Sequence, residues 1–194
     1  MIATKYPEPR VTYYRDRGYL TPWGSAQTRY EYAPGVSFYS CAGHGGVKVN
    51  KEPNQQIPAV FRNEDGWYEE DCESLIVFHF LLSDDQTNGL RAWFPDQWET
   101  FSGERVTAAQ SSIIGRREFA ETHKDDWVTG SAWGDWTDWV PAGLVGVVAR
   151  LGNGFDGKSG EKRWFLVPEG EYEKRGQFGF VIDPTQHQQI PNPR

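Results

Sequence analysis

The chain has 194 residues, 38% of them apolar and 15% aromatic, and a formal charge of −7. A chain of this size can bury a sizeable core without disulfide or metal staples. Its net negative charge argues against non-specific attraction to a phosphate backbone, and no apolar run approaches the ~20 residues of a membrane-spanning helix.

Met1 to Pro7 lacks the apolar core of a leader, so a cytoplasmic protein is expected. Cys41 and Cys72, the two cysteines, are then expected as reduced thiols. Nine Trp, nine Tyr and eleven Phe suit either a ring-rich β core or a ligand-binding surface.

In residues 1–20, Arg10, Arg15 and Arg17 stand beside Tyr13, Tyr14 and Tyr19. Such a mixture can stack on nucleic acid, but an N-terminal arm packed on its own domain is the preferred reading. Thr28, Tyr30 and Tyr32 then alternate with Arg29 and Glu31, and Val36 to Cys41 alternates again after Ala33-Pro34-Gly35. Pro followed by Gly suits a type II turn, which predicts a β-hairpin. Gly43-His44-Gly45-Gly46 interrupts the pattern before Val47-Lys48-Val49 resumes it, so His44 is expected on a loop at the end of a strand pair.

Asn54 to Arg62 reads as a short helical turn limited by Pro58, and Asp65-Gly66 breaks the chain before Trp67. Cys72, Leu75, Ile76, His79 and Leu82 fall at helical spacing, which places Glu69, Glu70 and Asp71 in a first helical turn facing the positive end of the dipole. The competing reading is a buried strand from Leu75 to Leu82, because Ile76, Val77, Phe78 and Phe80 favour sheets. The helix is preferred.

Ser83 to Gly89 reads as a surface loop, and Pro95 to Phe101 as a helix closed by Gly103. Ser111 or Ser112 caps a further helix to about Lys124. The last third reads as β-rich, with a strand at Leu144 to Leu151 and a partner at Arg163 to Val167 across a glycine-rich loop. One helical turn at Pro168 to Arg175, a final strand at Phe178 to Ile182 and fraying from Gln186 complete the expectation.

Several words occur in order along the chain: Thr21-Pro22-Trp23-Gly24, Gly43-His44-Gly45-Gly46, Gly66-Trp67-Tyr68-Glu69-Glu70-Asp71-Cys72, Ser131-Ala132-Trp133-Gly134-Asp135-Trp136, Val140-Pro141-Ala142-Gly143, Phe165-Leu166-Val167-Pro168 and Phe178-Gly179-Phe180-Val181-Ile182-Asp183-Pro184. The set resembles an uncharacterised family of proteins encoded by bacteriophages and by plasmids or other mobile elements, over about Thr21 to Ile190. The resemblance implies an accessory protein of the bacterial host cell and carries over no activity.

Three chemistries are open to these residues. Cys72 could act as a nucleophile with His44 as base and the amides near Gly45 and Gly46 as oxyanion donors, but its acidic neighbours disfavour the thiolate. His44 with Glu69, Glu70 or Asp71 could run acid–base catalysis without a thiolate. The same groups could ligate a metal, yet HExxH, CxxC and paired-histidine spacings are missing, so neither metal nor cofactor is expected. His79 reads as a hydrogen-bonded core histidine and His123 as a solvated helix end. A binding site is the third reading, with Gly45, Gly46, Trp67, Trp133, Asp135 and Trp136 as contacts for a basic face of a host protein or a small ligand.

The expectation is an α+β fold: a single domain at 21–185 with a twisted, mainly antiparallel sheet and two or three helices, an arm at 1–20 and a tail at 186–194. Binder is preferred to hydrolase, because no complete catalytic constellation is visible.

Overall fold

The computed structural model describes residues 10–13, 18–152 and 161–193. It is a mixed α+β fold in which every paired strand is antiparallel. The chain falls into two compact units, Met1–Ile113 and Ile114–Arg194.

The first unit contains β1 (Arg10–Tyr13), β2 (Leu20–Thr21), β3 (Gly24–Ser25), β4 (Thr28–Ala33), β5 (Val36–Ser40), β6 (Gly45–Val49) and, after α1 (Lys51–Asn54) and a 3-10 turn at Ala59–Phe61, β7 (Trp67–Glu69). Five of these strands form one sheet in the order β1-β4-β5-β6-β7, and β2 pairs with β3. The β4–β5 hairpin forms at Pro34-Gly35 as the turn residues require, with Gly35 at a φ of +77°. Tyr14, Arg15 and Arg17 lie outside the described residues, whereas β1 pairs with β4 at the sheet edge.

One side of the inner strands is the core. Val36, Val47, Val49 and Tyr68 are almost wholly buried, together with Ile57, Ile76, Val77 and Leu90. Tyr68 is inaccessible and places its hydroxyl among polar partners. It donates to Asn54 Oδ1 at 2.7 Å and accepts the Asn63 N–H at 3.1 Å. Burial, before any neighbouring charge, pushes its phenol above the ordinary range, which keeps the O–H as a donor.

Three further helices of this unit follow as α2 (Ser74–Leu81), α3 (Thr87–Trp93) and α4 (Pro95–Ser102), while α5 (Ser112–Thr122) starts at its end and lies mostly in the second unit. The helix reading of Leu75 to Leu82 is the observed one, and the reason for the ambiguity is visible. Ile76 and Val77 are buried in the core, while Phe78 meets Tyr32 and Phe80 meets Phe61 and Phe101. Apolar neighbours cover the helix on several sides, so its sequence loses the one-sided pattern of a surface helix.

Two details correct the expectation. Glu69, Glu70 and Asp71 do not occupy a first helical turn: Glu69 ends β7 and α2 begins only at Ser74. The pairing of Val47 with Tyr68 and Gly46 with Glu69 fixes Glu69 in the sheet, and Glu70 and Asp71 follow in a turn. The Ser83 loop also stops early, because α3 begins at Thr87 and holds Gly89 where a Cβ would press on Leu75. The next helix matches its signals, with Pro95 first and Gly103 closing it at a φ of +75°.

The second unit holds β8 (Trp127–Trp133), β9 (Leu144–Leu151), β10 (Lys162–Pro168), α6 (Glu169–Tyr172), β11 (Val181–Ile182) and β12 (Gln188–Ile190). They form a sheet in the order β11-β8-β9-β10-β12. Trp127, Val147, Ala149, Phe165, Val167 and Ile182 make its core. Residues 153–160, most of the expected glycine-rich loop, lie outside the described residues. Gln188–Ile190 is not frayed: it pairs with Trp164 to Leu166. Buried His187 anchors this end, accepting the Asp183 N–H through Nδ1 at 3.0 Å and facing Glu171 Oε2 at 3.1 Å through Nε2.

Among the described residues there are six α-helical segments, more than expected, of which α2, α4 and α5 exceed seven residues. No described helix is long and apolar enough to cross a membrane.

Tyr68→Phe removes a donor from a closed site and leaves Asn54 Oδ1 and the Asn63 N–H short of a partner. Urea unfolding should show a loss of about 1–3 kcal/mol with an unchanged slope.

Candidate functional site

Gly43, at a φ of +93°, lets the connection between β5 and β6 turn back on itself. The Cys41 N–H donates to the His44 carbonyl at 2.7 Å and closes the loop. His44 thus stands just before β6, beside the strand that β6 pairs with.

That strand ends in the carboxylates. His44 Nε2 lies 3.1 Å from Glu69 Oε1, and His44 Nδ1 lies 3.2 Å from Glu70 Oε1. The ring is therefore held between two glutamates, one on each nitrogen. An Asp71 oxygen belongs to the same group: one donor atom each of His44, Glu69 and Asp71 lies within 4.8 Å of the others.

The two glycines after His44 are needed for close approach. A Cβ on Gly45 would sit 2.7 Å from the Tyr39 carbonyl oxygen and 2.8 Å from Glu70 Oε2. A Cβ on Gly46 would collide with the Trp23 ring and the Tyr68 carbonyl. Trp23 therefore lies on Gly46, edge-on to His44 at 5.8 Å and to Trp67 at 5.6 Å. Lys48 sits 5.1 Å from the centre of the Trp67 ring and donates to the Asp65 carbonyl.

The turn between β7 and α2 is organised by its own acids. Glu69 Oε1 accepts the Asp71 N–H at 2.7 Å, and Oε2 accepts the Cys72 N–H at 3.2 Å. Glu73 Oε2 accepts the Glu69 N–H at 3.0 Å and an Asn63 side-chain N–H at 3.1 Å. Glu73 and Trp23 were not singled out from the sequence as site residues. The acid run, which resumes at Glu73, and the Thr21-Pro22-Trp23-Gly24 word were the available signals.

Cys72 is half-buried, and its thiol faces Glu69 Oε2 at 3.8 Å, whereas His44 meets the other oxygen of that carboxylate. Burial, then the charges of Glu69 and Glu73, push the thiol above its ordinary range. A protonated thiol is a poor nucleophile.

Beside the cluster opens a cleft of about 710 Å³, walled by Pro22, Trp23, Asn63, Trp67, Glu69 and Cys72, with Glu64, Asp65 and Glu73 adding acid. Arg62 also lines it, but its guanidinium is directed to backbone carbonyls, at 3.0 Å from Gln55 and at 2.7 and 3.1 Å from Ile57. Glu69 belongs both to this wall and to the His44 contact.

The other histidines of the chain have local partners. His79 Nδ1 accepts the Gln86 N–H at 3.2 Å between Phe80 and Trp98, and His123 Nδ1 meets Asp126 at 2.7 Å just after α5.

The expected site residues divide between the two units. His44, Gly45, Gly46, Trp67, Glu69, Glu70, Asp71 and Cys72 come together in the first. Trp133, Asp135 and Trp136 belong to the second, where Trp136 is 75% exposed above Gly134 and Trp133 meets Trp139 at 5.7 Å. Asp135 and Asp138 are exposed beside them.

Residues 16–124 match a family described as a domain of unknown function, DUF7007. The chain belongs to the DUF7007 family. The matched segment carries the whole His44–Glu69–Glu70–Asp71 cluster and the cleft, and it ends before the Trp133 to Trp136 segment. Neither a curated protein nor a solved structure matches the chain.

The carboxylate control of Cys72 gives a direct test. Iodoacetamide labelling of Cys72 at pH 8, read by peptide mass spectrometry, should be slower than that of a free cysteine. Glu69→Gln removes a charge and an acceptor that both favour the neutral thiol, so the thiolate fraction and the labelling rate should rise several-fold.

Proposed function

We propose that this DUF7007 chain is a binding protein that takes a positively charged group at the acidic site formed by His44 and Glu69 to Cys72 and its neighbouring cleft. The observation that carries the reading is the composition of that cleft. Two indole rings, Trp23 and Trp67, stand with Glu64, Asp65, Glu69 and Glu73, and the one cation of the lining, Arg62, is turned to backbone carbonyls. Aromatic faces and carboxylates together favour a guanidinium or ammonium group on a small ligand or a host protein. The origin in a phage or mobile element rests on the resemblance of the sequence words.

A second reading, hydrolysis by His44 with a carboxylate, is favoured by one observation. Glu70 Oε1 lies 3.2 Å from Nδ1, where a carboxylate orients a histidine general base. Binding is preferred because Nε2, the nitrogen that would act as the base, is itself directed at Glu69 Oε1 at 3.1 Å.

Titration of the chain with a tetra-arginine peptide in EDTA, followed by tryptophan fluorescence, tests the binding reading. The wild type should bind, Trp67→Ala and Glu69→Gln should weaken binding about tenfold or more, and rising salt should weaken it further. Equal affinity of all three proteins would sink the reading. Ester turnover by the wild type that His44→Ala abolishes would instead favour hydrolysis.

A further inference from the structure

We infer that His44 Nε2, Glu69 and Asp71 form a binding site for a divalent first-row metal ion, with Glu70 holding the imidazole in place. The inference rests on the reading of this site as an acceptor of positive charge and names the ion at its His44 end.

Both nitrogens of the His44 ring face carboxylate oxygens, at 3.1 and 3.2 Å. A neutral imidazole has one N–H, so it can donate to only one of them. The other contact sets a nitrogen lone pair against a carboxylate. It becomes favourable only with a positive charge there, supplied by a second ring proton or by a cation between the two atoms.

The grouping of His44 with Glu69 and Asp71 selects the nitrogen, since Nε2 is the one that faces Glu69. Two adjacent ligand atoms each ~2.1 Å from one ion, about a right angle apart, lie roughly 3.0 Å from one another. The separation of His44 Nε2 and Glu69 Oε1 is 3.1 Å. Asp71, an exposed carboxylate, joins them with an oxygen within 4.8 Å of a ligand atom of each residue. One imidazole and two carboxylates would leave the remaining coordination positions to water or to a ligand in the cleft.

The opposite nitrogen supplies what such sites need from their surroundings. A metal-bound histidine nearly always donates its other N–H to a carboxylate or carbonyl, which fixes its tautomer and aim. Glu70 is placed to accept from Nδ1, and Glu70 is itself fixed by its N–H to the Gly45 carbonyl at 3.2 Å. The missing Cβ of Gly45 gives the carboxylate room to reach the ring. The donor set of one nitrogen and two oxygens suits Mn²⁺, Fe²⁺ or Zn²⁺ better than Ca²⁺, which takes oxygen ligands. Cys72 is not part of the set, since its thiol is directed to the other oxygen of Glu69, Oε2.

The test uses Mn²⁺ as the probe on the full chain after EDTA treatment and dialysis. Titration followed by electron paramagnetic resonance should show one bound ion per chain, and pulsed measurements should show coupling to a histidine ¹⁴N. His44→Gln should abolish that coupling. Asp71→Asn, a change at an exposed side chain that leaves the fold intact, should weaken binding at least tenfold. Glu70→Ala should weaken it about 10–100-fold, and Cys72→Ser should leave it unchanged. Circular dichroism checks the fold of each variant. Failure to bind at millimolar Mn²⁺, binding without ¹⁴N coupling, or affinity indifferent to both His44→Gln and Asp71→Asn would overturn the inference. Because peptide binding is measured in EDTA, its loss or survival is decided separately from that of the metal site.

Discussion

The antiparallel pairing of β6 with β7 is the constraint on which the site depends. It sets Val47 against Tyr68 and Gly46 against Glu69. Since successive strand residues face opposite sides, burying Tyr68 in the core directs Trp67 and Glu69 to the other face, toward the loop that carries His44. A slip of one residue would reverse both sides at once. The hydroxyl of Tyr68, tied to Asn54 and Asn63, resists such a slip, because a buried polar group left without its partners is costly.

On that frame, missing side chains do as much as present ones. Gly46 gives the Trp23 ring its place, and Gly45 gives Glu70 its path to the imidazole. The Gly-His-Gly-Gly word therefore combines a turn residue, the imidazole held between two glutamates and two close-approach positions. Glycine flanking of a histidine reads at first as flexibility. In the folded chain it is the opposite, a requirement of dense packing around a fixed ring.

The acids of Glu69 to Glu73 act through short-range hydrogen bonds. Glu69 and Glu73 accept backbone N–H groups of their own turn, which replaces the dipole role that a helical start would have given them. Burial first, and then the same charges that shape the turn, raise the pKa of Cys72, and those charges surround His44 with negative potential. One set of residues thus weakens thiol chemistry and favours cation binding. That is a consequence of sign: a thiolate is repelled by what attracts an ion.

Local chemistry made much of the chain legible in its sequence. Pro34-Gly35 specified its hairpin, Pro95 and Gly103 bounded their helix, Leu144 to Leu151 was read as the strand it is, and the acidic flank of Cys72 already argued against a nucleophile. Each depends on neighbours in sequence, through turn conformation, capping or adjacent charge. What the sequence did not show depends on partners brought from afar. Trp67 to Glu69 carries no strand pattern long enough to outweigh the helical spacing that follows it, and only β6 makes it a strand. Gln188 to Ile190 looks like a polar tail until β10 supplies its hydrogen bonds. The His44 cluster shows no metal-ligand spacing because its members come from a hairpin loop and a separate turn. Sequence by itself determined the α+β character, the turns and the residues able to do chemistry; the tertiary structure decided which of them meet, because strand register between distant segments fixes which side each faces.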